Sequence, residues 1–116
     1  MNPQTGECEE YVAFPVDVNA TLECTATIDT RQVLWEVNNF DRFENTIGRD
    51  RLNKRGIFQN ELITLSGVKT LTLVVFGSIV NNNSGICCST LTEEDQEQPE
   101  ECCTTITFYG NNLLLK

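Results

Sequence analysis

Six cysteines, four of them in two adjacent doublets, constrain this 116-residue chain more than any other feature. The doublets Cys87-Cys88 and Cys102-Cys103 flank an acidic segment that contains one proline. If the chain folds back on itself about Asp95, Cys88 lies opposite Cys102 and Cys87 lies opposite Cys103, because the members of each pair are equally far from Asp95. This symmetry predicts an antiparallel β-hairpin that carries all four cysteines.

The cysteine count favours disulfides over a metal site. An even number of cysteines in a short chain is typical of a disulfide framework in an oxidising compartment. The alternative, a zinc site, usually takes ligands from C-x2-C or C-x4-C turns, because a tight turn must point two thiolates at one ion. Adjacent cysteines in a strand point to opposite faces instead. The acidic segment also lacks the spacing and central glycine of an EF-type calcium loop, so we expect no metal and no cofactor.

Two runs upstream of the hairpin alternate between apolar and polar residues, which predicts strands with one buried face. In the run from Asn19 to Thr27 the alternation places Leu22 in the core and turns Cys24 inward. In the run from Gln32 to Asn38 it places Trp35 in the core.

The rest of the chain also reads as β structure. We expect short edge strands and turns over residues 39–55, including a turn at Gly48, then strands over 57–65 and 68–80. Apolar residues do not recur at helical spacing over three turns anywhere in the sequence. The predicted fold class is therefore an all-β antiparallel sandwich or barrel in one domain. Its predicted bounds are residues 8–109, with a flexible tail over 1–7 and a linker toward a downstream region over 110–116.

Cys24, followed eleven positions later by Trp35 and then by a cysteine-bearing strand, resembles the B, C, E and F strands of an immunoglobulin domain. The roughly 64 residues between Cys24 and Cys88 leave room for two extra strands, so the variable type is the closer match. The resemblance implies an immunoglobulin-like antiparallel β-sandwich of the variable type, braced by disulfides.

The F strand of this family usually carries Asp-x-Gly-x-Tyr-x-Cys, and two alignments of that motif are open. With Gly85 at the glycine position, Cys87 takes the place of the tyrosine and a serine takes the place of the cysteine. With Ser84 at the glycine position, Cys88 takes the cysteine position and Ile86 takes the tyrosine position. Neither alignment retains the tyrosine corner of the family.

The resemblance also implies how the cysteines pair. The second alignment implies a core bridge from Cys24 to Cys88. The cysteines left over would then form a cross-strand bridge from Cys87 to Cys103 and a bridge from Cys8 to Cys102 between strands A' and G. The rival assignment exchanges the partners within each doublet.

The charges are unevenly distributed. The net charge is -9, from 17 acidic and 8 basic residues, which argues against nucleic acid and anionic membranes as partners. The sequence has no window of about 18 uninterrupted apolar residues, so we expect no direct insertion of this domain into a membrane. The candidate partner-binding residues are a basic stretch, Arg42, Arg49, Arg51, Lys54 and Arg55, and an acidic loop, Glu93, Glu94, Asp95 and Glu97. The alternative is that both are solvated surface.

No signal for catalysis is present in the sequence. The chain contains no histidine, so it lacks the commonest general base and the Ser-His and Cys-His arrangements. We therefore expect no enzymatic activity and no catalytic residue.

Two tripeptides, starting at Asn19 and Asn82, match the N-glycosylation pattern and point to an extracellular location.

Three functions follow as expectations. The first is an extracellular recognition domain of a cell-surface receptor or adhesion protein, binding the same protein on an opposing cell through the G, F, C and C' strands and the loop between F and G. The unusual cysteines suggest, by analogy only, invertebrate allorecognition proteins. The second is a secreted or surface immune binder of a foreign or soluble ligand. The third is a structural spacer.

Overall fold

The structure is a computed structural model that describes residues 1–93 and 98–110. In these two segments the chain forms, in order, β1 (Tyr11–Pro15), β2 (Asn19–Thr27), β3 (Gln32–Val37), β4 (Asp41–Arg42), α1 (Thr46–Lys54), β5 (Ile57–Gln59), β6 (Ile63–Leu65), β7 (Val68–Phe76), a 3-10 turn (Ile79–Asn81), β8 (Ser84–Leu91) and β9 (Glu100–Tyr109). α1 is too short to span a membrane, and so is every other helical segment in these ranges.

The strands form two packed sheets. One has the order β1-β9-β8-β3-β4, and the other has the order β2-β7-β5, with β6 also paired to β7. All pairings are antiparallel except that of β1 with β9, which is parallel. The predicted fold class, a disulfide-braced all-β sandwich, is confirmed.

The alternating runs bury the side chains that their pattern predicts. Along β2 every second residue is buried, and Leu22 retains only 7% exposure. Trp35 on β3 is 1% exposed and lies opposite Cys88 of β8, and its indole Nε1 donates to the Leu71 carbonyl at 3.1 Å. The core therefore forms between the inward faces of β2, β3, β7 and β8.

Three disulfides cross-link the sandwich. Cys24 is joined to Cys88 between the sheets, Cys87 to Cys103 across the β8-β9 hairpin, and Cys8 to Cys102. These are the pairings that the second alignment implies. The hairpin has the register deduced from the doublets, with Cys87 opposite Cys103 and Cys88 opposite Cys102. The Cα atoms of Cys87 and Cys103 are 4.0 Å apart, the close approach of a pair without mutual hydrogen bonds.

The prediction of short edge strands over residues 39–55, with a turn at Gly48, is wrong. Only Asp41 and Arg42, which are β4, form a strand there, and α1 follows with Gly48 inside the helix. The helix begins because the Asn45 side chain accepts hydrogen bonds from the amides of Ile47 and Gly48. Only Gly48 and Leu52 of the helix are buried.

Two predicted strands are also shorter than expected. The strand predicted over 57–65 is divided into β5 and β6, and the one predicted over 68–80 ends at Phe76, before the 3-10 turn.

Residues 1–7, for which the sequence predicts a flexible tail, form a turn closed by Asn2 and Glu7. Residues 111–116 of the predicted linker lie outside the described ranges.

Candidate interaction face

The outward face of the β1-β9-β8-β3-β4 sheet carries a shallow groove. Period two turns Leu34 of β3 and Leu91 of β8 outward, because Trp35 and Thr90 face the core. The groove has a volume of about 310 Å³, and its lining includes Leu34, Leu91, Pro99 and Glu101. We call this groove, together with β4 and α1 at its edge, the interaction face.

The charges around the groove are mostly acidic. Arg42 on β4 contacts Glu36 at 2.5 Å and Glu44 at 3.4 Å, and all three line the groove. The hydrogen bond to Glu36, followed by the charge of that carboxylate, raises the pKa of Arg42 above its ordinary value. Arg42 is therefore held within the face. With Glu101 added, the rim carries three carboxylates and one guanidinium.

A second depression, of about 650 Å³, lies between β4 and the start of α1. Phe40 stands at its edge and is 72% exposed, because Asn38 and Asn39, both with positive φ, form the tight turn that precedes it. The Arg51 guanidinium lies over the Phe40 ring, 5.2 Å from its centroid. Ile47 on α1, 63% exposed, also lines the depression. An exposed aromatic ring beside an arginine is a composition typical of binding hot spots.

The five residues of the predicted basic stretch do not form one uniform patch. Arg51 pairs with Asp41 at 3.4 Å, and Arg55 donates to the Val80 carbonyl and to Ser84 Oγ. With Arg42 also paired, three of the five are engaged within the molecule. Among the described residues, Arg49 and Lys54 of α1 contact no carboxylate, so the basic character of the face rests on them.

The acidic loop begins at the far end of β8 from this helix. Arg55, next to α1, contacts Ser84, the first residue of β8, whereas Glu93 follows Leu91, the last residue of that strand. Eight strand residues span about 26 Å at roughly 3.3 Å per residue. The predicted residues Glu94, Asp95 and Glu97 lie outside the described ranges.

The Cys87-Cys103 bridge lies on the outward side of the same sheet. Cys103 is exposed, whereas Cys24, Cys88 and Cys102 are buried. Sγ of Cys87 and Cys103 and a carboxylate oxygen of Glu101 lie within 4.8 Å of one another. Because the two thiols are joined in a disulfide, they are not thiolate ligands, and this cluster is a brace of the hairpin.

The two glycosylation tripeptides have different surroundings. Asn19, the first residue of β2, is exposed, as is Thr21 on the same face. Asn82 is half-buried beside the 3-10 turn, and its side-chain Oδ1 accepts a hydrogen bond from the Phe108 amide at 2.8 Å. Ser84, which completes the second tripeptide, is buried.

The apolar residues of this face are not among the binding residues predicted from the sequence. Strand alternation could have identified Leu34 and Leu91 as outward residues, because Leu34 immediately precedes the inward Trp35 and Leu91 immediately follows the inward Thr90. Phe40 has a different signal, an Asn-Asn pair immediately before it that favours a two-residue turn. The depression beside it could not be found, because it depends on α1.

Comparison of the chain with protein-family models, with curated proteins and with solved structures finds no match.

Proposed function

We propose that the chain is an extracellular recognition domain of a cell-surface receptor, that it has the variable-type immunoglobulin fold, and that it binds a second copy of itself through the interaction face. The strand order supports the fold assignment, with β2, β3, β7 and β8 as strands B, C, E and F and with β1, β9 and β4 as A', G and C'. In this assignment α1 replaces the C'' strand. Three disulfides in so small a domain fit an oxidising, extracellular setting.

The observation that carries self-recognition is the separation of opposite charges along one sheet. Arg49 and Lys54, which contact no carboxylate among the described residues, lie on α1, whose C-terminal end adjoins the start of β8. The acidic loop follows the end of β8. A two-fold axis parallel to the sheet and perpendicular to β8 brings the two faces together and sets the acidic loop of each copy against the helix of the other, so both contacts form at once. Charge complementarity of this kind gives register and specificity.

The apolar residues between the charged ends supply the centre of the contact. Leu34 and Leu91 line the groove, and Phe40 lines the depression by α1, which shares Arg42 and Glu44 with the groove. Interfaces of moderate affinity commonly have such an apolar centre inside a polar rim. Burial of the exposed Phe40 ring would stabilise the complex most, because aromatic anchors dominate binding energies.

Charge reversal tests the proposal. We expect the double variant Arg49→Glu/Lys54→Glu to weaken self-association at least about tenfold, roughly 1.4 kcal/mol, because each helix then repels the acidic loop of its partner. Reversing Glu93, Glu94 and Asp95 to lysine in the same chain should restore binding. Sedimentation equilibrium of the purified domain and aggregation of domain-coated beads provide the two readouts.

A matched control separates this contact from general charge effects. Glu9 and Glu10 are exposed and lie before β1, away from α1, so reversing them to lysine, which changes the net charge from -9 to -5, should not weaken self-association. If Arg49→Glu/Lys54→Glu associates as strongly as the parent, or if the loop reversal fails to restore binding, two-fold self-recognition through this face is wrong. Binding of unrelated ligands on a glycan or peptide array would then support a foreign-ligand binder.

A further inference from the structure

An apolar patch lies on the outer face of the other sheet, away from the interaction face. Phe58 on β5 and Phe76 on β7 are 47% and 41% exposed, and Val74, which pairs with Phe58, is half-buried between them. Residues diagonal to one another on adjacent strands lie within reach of aromatic side chains. We call Phe58, Val74 and Phe76 the outer aromatic patch. Patches of this kind mark a binding surface or favour aggregation if nothing covers them.

Asn19 stands directly beside this patch. Strand pairing sets Asn19 opposite Phe76 and Thr21 opposite Val74. Asn19 and Thr21 share the outward face, since residues two apart on a strand point the same way. Opposite residues in an antiparallel pair have Cβ atoms about 4.5 to 5.5 Å apart. A group attached to the Asn19 amide therefore starts within reach of the Phe76 ring.

The side chain of Asn19 is also chemically available. Asn19, Ala20 and Thr21 form the acceptor tripeptide for N-linked glycans. Among the described residues the Asn19 side chain has no hydrogen-bond partner, in contrast to the Asn82 amide, whose oxygen is bound to β9. A glycan on Asn19 therefore displaces no hydrogen bond among the described residues.

We propose that Asn19 carries an N-linked glycan whose first sugar rings lie across the outer aromatic patch. The C-H faces of a pyranose ring are apolar and pack against aromatic rings, while the hydroxyl groups at the rim of the sugar remain in water. The glycan thus covers Phe58 and Phe76 with a hydrophilic group. The inference rests on the extracellular setting of the proposed function, and it does not depend on self-recognition.

β2, the strand that carries Asn19, also has an uncovered edge near this residue. β2 is an edge strand, and unpaired edges invite pairing with other chains. The N-terminal residues cover its far half, because the Met1 amino group donates to Glu23 and the Met1 carbonyl accepts from the Thr25 amide. The half that contains Asn19 and Thr21 has no neighbouring strand among the described residues. A glycan at Asn19 would shield this open half.

Site occupancy is the first measurement. The domain is secreted from eukaryotic cells, treated with peptide N-glycosidase F in heavy-oxygen water, and mapped by mass spectrometry. We expect the Asn19 peptide to carry the label in most molecules, and Thr21→Ala to abolish that label while Asn19 itself is retained. An unlabelled Asn19 peptide from the parent overturns the proposal. The charge-reversal variants described above do not affect this readout, so the two proposals can fail separately.

Coverage of the patch is the second measurement. We expect Asn19→Gln and Thr21→Ala to bind severalfold more of a dye that fluoresces on apolar surface, and to melt at lower temperature than the glycosylated parent. In a Phe58→Ser/Phe76→Ser background, loss of the glycan should change neither quantity. In the parent itself, aromatic ring currents should shift the proton resonances of the first sugar. Unshifted resonances, or equal dye binding with and without the glycan, would overturn the packing of the glycan on the patch.

Discussion

Two neighbouring asparagines, Asn81 and Asn82, form hydrogen bonds of opposite sense at the end of the sandwich near the start of β8. Asn81 is fully buried and donates through Nδ2 to the carbonyls of Arg55 and Phe76, at 2.7 and 2.9 Å. Asn82 accepts through Oδ1 from the Phe108 amide. Asn81 therefore needs its NH2 group, whereas Asn82 needs only its oxygen, and replacement by aspartate distinguishes the two roles.

We expect Asn81→Asp to lower the free energy of unfolding at pH 7 by about 3 kcal/mol, because a buried carboxylate would face two carbonyl oxygens. Burial raises the pKa of the new carboxyl in the folded state. The loss should therefore be small below the unfolded pKa of about 3.9 and should grow as the pH rises above it. Urea unfolding of the variant and the parent, at pH 7 and at a pH below about 3.9, measures the loss of unfolding free energy in each condition.

Asn82→Asp is the matched control, since the carboxylate still accepts from the Phe108 amide, and its free energy of unfolding should stay within about 0.5 kcal/mol of the parent value. Unchanged stability of Asn81→Asp at pH 7 would contradict the donor role.

Helix α1 is the element that depends most on tertiary contact. Its sequence is polar, and only Gly48 and Leu52 are buried. The backbone of Arg42 passes so close to Gly48 that a Cβ atom there would lie 2.7 Å from the Arg42 carbonyl oxygen. The glycine thus lets the helix pack on β4, at the edge of the interaction face.

We expect Gly48→Ala to lower the free energy of unfolding by about 1 to 3 kcal/mol. In an exposed helix the same change would instead raise it by about 1 kcal/mol through helix propensity. The sign of the change in unfolding free energy therefore reports on the contact with Arg42, whose backbone cannot move aside as a flexible side chain would. Thermal unfolding with the disulfides intact measures this change. Asn53→Ala, an exposed position on the same helix, should be neutral or slightly stabilising, and a stabilised Gly48→Ala would refute the close contact.

This helix also shows where reasoning from the sequence ends. The hairpin register, β2 and the burial of Trp35 follow from local features, namely cysteine symmetry and period-two alternation. The α1 segment has no such pattern, because most of its residues face water and its glycine is a reason to predict a turn. In the candidate face, the internal pairing of Arg42 with Glu36 and of Arg51 with Asp41 depends on β3, β4 and α1 meeting in space, and no spacing in the sequence encodes it.

On the scale of the whole molecule, two kinds of electrostatic effect oppose each other in the proposed self-recognition. Each copy carries a net charge of -9, so two copies repel one another at long range. The contact of the acidic loop with Arg49 and Lys54 attracts them at short range. The salt concentration distinguishes the long-range repulsion from the short-range attraction, because the screening length is about 30 Å at 0.01 M and about 10 Å at 0.1 M. Moderate salt therefore removes the repulsion between whole molecules before it weakens contacts across the interface.

We expect the self-association constant to rise from roughly 0.01 M to 0.1 M salt and to fall toward roughly 1 M, where the contact itself is screened. Arg49→Glu combined with Glu61→Lys keeps the net charge at -9, since one reversal offsets the other, and moves a positive charge from α1 to the loop between β5 and β6. This variant should associate more weakly than the parent at 0.1 M salt, by about tenfold. Glu61→Lys alone changes the net charge from -9 to -7 and should strengthen association only at low salt. If the double variant matches the parent in sedimentation equilibrium across the series, net charge rather than the contact at α1 governs association.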